Sequence, residues 1–118
     1  MQGIGAAGGE GHNLRRGDVV LGELPEQIAD LSALLKSLSH PFRLKILCLL
    51  QDREMTVGEI SKAIDTTDAN ISQHLSILRH QGIIGTRKQA NFIYNRIIDD
   101  RIIRLIETLQ GLFCTVKE

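Results

Sequence analysis

Residues 56–82 read TVGEISKAIDTTDANISQHLSILRHQG, and this stretch decides the fold. Thr56 followed three residues later by Glu59 is a capping-box pattern, so a short helix opens there and ends near Asp65. Thr67 caps a second helix, which Gly82 ends as a left-handed residue. Two short helices joined by a tight turn make a helix-turn-helix. The second helix carries Asn70, Ser72, Gln73 and His74 among the apolar Ile71, Leu75 and Leu78. That is more polarity than packing requires, and such side chains hydrogen-bond to base edges and phosphates in a DNA major groove.

The segments on either side complete the architecture. Upstream, a helix opens at Ser39-His40-Pro41 and runs through FRLKILCLLQ to a polar break at Asp52-Arg53-Glu54. A still earlier helix follows Leu24-Pro25, with an apolar stripe at Leu24, Ile28, Leu31, Leu35 and Leu38. Downstream, the strand-like runs 83–87 and 92–97 flank the polar tip Lys88-Gln89-Ala90-Asn91, which predicts a β-hairpin. Asp99 or Asp100 then caps a last helix with its stripe at Ile102, Leu105, Ile106, Leu109, Leu112 and Phe113. The prediction is a mainly α fold with a β-hairpin wing: a winged helix-turn-helix with an added helix at each end. The two end stripes are longer than a small trihelical core covers, so Leu24, Ile28, Leu31, Leu35, Ile102, Leu105, Ile106, Leu109 and Phe113 are expected to pair two copies of the chain.

The 118 residues suffice for one domain, expected over 23–116. Residues 1–22 hold seven of the eleven glycines and few apolar anchors, and read as a flexible tail. No apolar run approaches the ~20 residues that span a bilayer, and the N-terminus lacks the charged-then-apolar pattern of a secretory leader. Two cysteines are too few for a disulfide framework, which points to a reducing cytoplasm. The net formal charge is zero, but its distribution is uneven. From Lys36 to Ile98 there are nine Lys/Arg against five Asp/Glu, while the remainder has five against nine. The middle is basic, and the local field rather than the global charge governs encounter with phosphate.

Candidate DNA contacts follow from position. Thr67, Asp68, Ala69 and Asn70 form the first turn of the recognition helix, and Ser72, Gln73 and His74 follow. Gln73 suits a bidentate contact with adenine, and Asn70 the same or a phosphate. His74 can donate to phosphate or guanine. Asp68 stabilises the helix N-terminus or accepts from cytosine. On the hairpin, Arg87, Lys88 and Asn91 are placed for phosphate or the minor groove. No glycine-rich phosphate cradle, nucleophile elbow or Cys-x-x-Cys is present, which argues against an enzyme.

The segments LSHPFRLKILCLL, TVGEISKAI, ISQHLSILRHQGII and the hairpin ending FIYNRI resemble the ArsR/SmtB family of bacterial repressors, over about residues 30–114. The resemblance implies a homodimer on a palindromic double-stranded operator that leaves when an inducer binds. Many members of that family sense metals through thiolates on the third helix, but VGEISKAI has no cysteine. Others use paired Asp and His on the last helix, where this chain has Asp99, Asp100 and Glu107 and no His. His12, His40, His74 and His80 do not pair at zinc spacing, so no metal ligand and no cofactor is expected; a metal response would need an atypical site.

Cys48 and Cys114 remain. By pattern alone Cys48, between Leu47 and Leu49, reads as a core-packing residue ahead of a reactive one. Its setting ILC-x-L and the LFC setting of Cys114 resemble the sulfide- or redox-responsive, BigR/SqrR/HlyU-type branch of the family. That resemblance implies that Cys48 and Cys114 of one protomer are joined by a disulfide or a longer sulfur chain, with an inorganic or organic persulfide, polysulfide or another oxidant as inducer.

Overall fold

Pro25 opens the first helix, α1 (Pro25–Leu38), at the position where its missing N–H leaves nothing unsatisfied. The computed structural model describes residues 25–114. The expected glycine-rich tail and Leu24 lie outside them. The chain divides after Ala33 into two units. The described part of the first is the helical stretch 25–33, in which Ile28 is exposed and Leu31 half-buried. Residues 34–114 are the described part of the second, which holds the core.

In that unit α2 (Pro41–Leu49), α3 (Val57–Ile64) and α4 (Asp68–His80) are followed by β1 (Ile84–Gln89), β2 (Phe92–Ile97) and α5 (Asp100–Phe113). His40 caps α2, its Nδ1 accepting the Phe42 N–H at 3.1 Å. The Thr56 capping box is complete: Thr56 Oγ1 accepts from the Glu59 N–H and Glu59 Oε1 from the Thr56 N–H. Asp65 turns the chain at φ 64°, and Thr67 Oγ1 accepts the Asn70 N–H to start α4. Gly82, at φ 76°, redirects the chain into the hairpin, a conformation open to glycine without strain. Asp99 caps α5 and also grips Arg101, a hydrogen-bonded pairing that holds its carboxyl below the usual range.

The hairpin is antiparallel, with Ile84 opposite Ile97 and Gln89 opposite Phe92. The first strand therefore begins one residue later and runs two residues further than the sequence suggests. Lys88 and Gln89 belong to it, and the tip shrinks to Ala90 and Asn91, with Ala90 at φ 55°. Met55 and Asn95 exchange backbone bonds at 3.1 and 2.8 Å, which stitches the loop before α3 to the second strand.

The core collects Ile46 and Leu47 from α2, Ile60 from α3, Ile71, Leu75 and Leu78 from α4, Ile83 and Ile84 at the start of the hairpin, and Ile102 and Ile106 from α5. The last two correct an expectation. Ile102 is 1% exposed and Ile106 3%, so they are spent on the protomer's own core and cannot form an intersubunit face. Leu105 packs partly against the same core and Leu109 is half-buried. The apolar surface left open on α5 is at its end, with Leu112 71% and Phe113 78% exposed; Leu35 and Ile98 are exposed as well.

Candidate functional site

The face of α4 that meets solvent carries Asp68, Ala69, Ser72, Gln73 and Ser76, with Thr67 exposed at the cap. The opposite stripe is Ile71, His74, Leu75 and Leu78. His74 is thus on the wrong side for a base contact: it is 8% exposed and faces α2. Arg43 Nη1 lies 3.1 Å from His74 Nδ1. An arginine only donates, so that nitrogen accepts and the ring is neutral with its proton on Nε2. The His40 ring packs on His74 at 4.4 Å between centroids, with Phe42 at 5.6 Å. Arg43 Nε also donates to the Ser37 carbonyl. One guanidinium therefore ties the end of α1 and the recognition helix to α2.

Burial holds the His74 imidazole below its ordinary value of 6.5, and the adjacent His40 and Arg43 act in the same direction. Below 6.5 the unfolded chain takes up a proton that the folded chain resists, so stability is full above that pH and declines as the pH falls through it. Urea midpoints at about pH 7.5 and about pH 5.5 check this: the wild type should drop, and His74→Gln should lose most of the difference.

Two further α4 side chains are engaged within the protein. One oxygen of the Asp68 carboxylate accepts from the buried Ser61 hydroxyl, which joins α3 to α4 across the turn. Asn70 is half-buried and its Nδ2 donates to Thr66 Oγ1 at 3.1 Å. Thr67, Ala69, Ser72 and Gln73 remain open to solvent. On the hairpin, Arg87 is drawn back: its Nε donates to Glu54 at 2.5 Å, its Nη1 to Gln89 at 2.6 Å, and its guanidinium lies 4.9 Å from the Tyr94 ring centre. Lys88 and Asn91 stand exposed near the tip.

Cys48 and Cys114 are both free and both exposed, so the core-packing reading of Cys48 does not hold. Gln110, one turn before Cys114, places its Nε2 3.6 Å from Cys48 Sγ as donor. Gln110 and Gln51 exchange side-chain hydrogen bonds at 3.0 and 3.1 Å. Among the described residues no three His, Cys, Asp or Glu side chains converge as a metal-binding group, and no helix is long and apolar enough to cross a membrane.

A profile described as "Bacterial regulatory protein, arsR family" matches residues 40–86, from the α2 cap through the start of the wing. A biofilm growth-associated repressor of Agrobacterium fabrum is 37% identical over 102 residues, covering 86% of this chain and 87% of that protein. The chain belongs to the arsR family. Solved structures superpose on it closely. Reduced HlyU from Vibrio cholerae gives a TM-score of 0.74 at 36% identity, over 80% of this chain and all of that one. The repressor BigR from Xylella fastidiosa gives 0.74 at 32%, over 83% and all of that chain. As an arsR-family protein the chain is a transcriptional regulator with a winged helix-turn-helix, not an enzyme.

Sequence reasoning overlooked Arg43, Gln51, Gln110, Ser61 and Glu54, the side chains that occupy or position the expected ones. One signal was available. His74 falls at the i+3 step from Ile71 and four before Leu78, squarely in the apolar stripe.

Proposed function

We propose that the protein is a homodimeric, cytoplasmic repressor that holds a two-fold symmetric operator through paired α4 helices and wings, and that linking Cys48 to Cys114 within each protomer releases it. The observation that carries this reading is the Gln110–Cys48 contact, because it brings the helix of the second thiol against the first. Exposure of both sulfurs and the likeness to a relative solved as its reduced form support it. The exposed apolar residues Leu35, Leu112 and Phe113 supply surface for the second copy. Thr67, Ala69, Ser72 and Gln73 read the major groove, and Lys88 and Asn91 reach phosphate or the minor groove.

The chemistry balances with an organic persulfide. One persulfide and the two thiols give a disulfide, one organic thiol and hydrogen sulfide. Two persulfides give a three-sulfur bridge, two organic thiols and hydrogen sulfide. The bridge draws α2 toward α5. Because Arg43 on α2 holds His74 on α4, the displacement passes to the recognition helix. A coupling of ~3 kcal/mol weakens operator binding more than a hundredfold. Labelled operator is titrated with wild type, Cys48→Ser and Cys114→Ser, before and after polysulfide. Wild type is expected to lose more than a hundredfold in affinity while gaining the bridge mass in intact-protein spectra, and both variants are expected to keep their affinity. Release of the variants would place the switch elsewhere.

A further inference from the structure

We propose that Gln110, locked in place by Gln51, is a positioning residue that holds the Cys48 sulfur in its unlinked arrangement and thereby sets how readily Cys48 and Cys114 are joined; this deepens the thiol reading above and rests on it. A glutamine side chain offers two N–H donors and one oxygen acceptor. Both donors and the acceptor are used here. Gln51 Nε2 donates to Gln110 Oε1 at 3.0 Å, Gln110 Nε2 donates back to Gln51 Oε1 at 3.1 Å, and the same Nε2 lies 3.6 Å from Cys48 Sγ. A reciprocal amide pair fixes the carboxamide at two points, so the N–H aimed at sulfur does not wander. Gln51 stands three residues after Cys48, on the turn that ends α2. The Gln110 carbonyl accepts the Cys114 N–H at 2.9 Å. These four residues form one patch where the two thiol-bearing segments meet.

The patch favours the unlinked state for a chemical reason. A thiol or thiolate sulfur accepts an N–H better than a disulfide sulfur does. Linking also requires Cys48 Sγ to come within about 2.05 Å of its new partner, which lies a helical turn, or roughly 6 Å of axis, beyond Gln110. The sulfur must leave the amide to get there. Removing the amide therefore raises the free energy of the unlinked protein more than that of the linked one.

The test is the thiol equilibrium of the full-length protein in glutathione buffers, read by alkylation and intact mass without DNA. The Cys48 thiolate attacks one sulfur of oxidised glutathione and expels a glutathione thiolate. Cys114 thiolate then attacks the Cys48 sulfur of the mixed disulfide and expels the second. Two protein thiols lose two protons and two electrons, and oxidised glutathione accepts the electrons. Gln110→Met keeps length and removes both donor and acceptor. Loss of about one net hydrogen bond is expected to shift the equilibrium about fivefold toward the disulfide, or about 20 mV more negative. Gln51→Met leaves the donor but unlocks it, and a smaller shift of about threefold in the same direction is expected. Thermal unfolding of the reduced variants checks that they fold; if Gln110→Met does not, Gln51→Met alone decides by the same criterion. A midpoint within twofold of wild type in the variant that decides, or a shift toward the dithiol, overturns the positioning role and leaves operator release untouched. A linked protein that still binds operator overturns the regulatory reading and leaves this result standing. Failure to form the Cys48–Cys114 bond at any glutathione ratio overturns both.

Discussion

Gln73→Ala is expected to weaken operator binding by about thirtyfold or more, and to do so at one base pair in each half-site. Gln73 is exposed on the outer face of α4, two turns from the Thr67 cap, with Ser72 beside it and His74 turned away. A well-placed bidentate side chain contributes about 1–3 kcal/mol of discrimination against the wrong base. A symmetric dimer loses that contact twice, so the two losses together reach on the order of 2–6 kcal/mol. The pattern matters more than the size. Binding to operators altered at the contacted pair should become indifferent to the alteration, while binding to unrelated DNA stays as it was. Lys88→Ala on the wing is the contrast: it should weaken every sequence alike and flatten the dependence on salt. If Gln73→Ala behaved like Lys88→Ala, the outer face of α4 would be touching backbone and not bases.

Leu75→Ala is expected to remove about 3–5 kcal/mol of folding stability, a large fraction of what a domain of this size possesses. Leu75 is fully buried at the middle of α4, in one cluster with Ile46, Leu47, Ile60 and Ile71. The lost methyl groups leave a cavity walled by three helices that are each fixed at their ends by caps, so collapse around it is limited. Chemical denaturation at fixed protein concentration checks the loss. Ser76→Ala, one residue further and exposed, should change stability by less than about 0.5 kcal/mol. A loss below about 1 kcal/mol for Leu75→Ala would mean that the helices close up freely, which the closed capping box and the Ser61–Asp68 joint argue against.

The elements that carry punctuation were legible in the sequence. Pro25, Thr56 with Glu59, Thr67, Gly82 and Asp99 each announce a helix boundary by a local rule, and each stands at one. What failed was partnership across elements, which no local rule encodes. His74 looked like a contact residue because histidine is polar; it is buried because α2 supplies an arginine donor and a second imidazole at the right place. Arg87 looked free because hairpin charges usually are; Glu54, more than thirty residues away, takes it. Ile102 and Ile106 looked like interface because their stripe is long, yet the hairpin and the helix bundle consume its first two turns. The wing tip shortened because Ala90 accepts a left-handed conformation that the sequence gives no reason to expect of alanine. The role proposed for the thiols comes only through likeness to relatives. Nothing in ILCLL says that its cysteine faces water, and nothing near it says that a glutamine from the last helix waits there.

Both sulfurs stand at the surface, and this shapes the timing of any signal they carry. Among the described residues neither sulfur is buried, so a bond between them would form and stay within reach of solvent. Small cellular reductants would reach such a bridge as easily as the molecules that build it, without waiting for the domain to open. Occupancy then follows the running balance between sulfur supply and reducing capacity, so the promoter would answer to a rate of exposure and forget it when the supply stops.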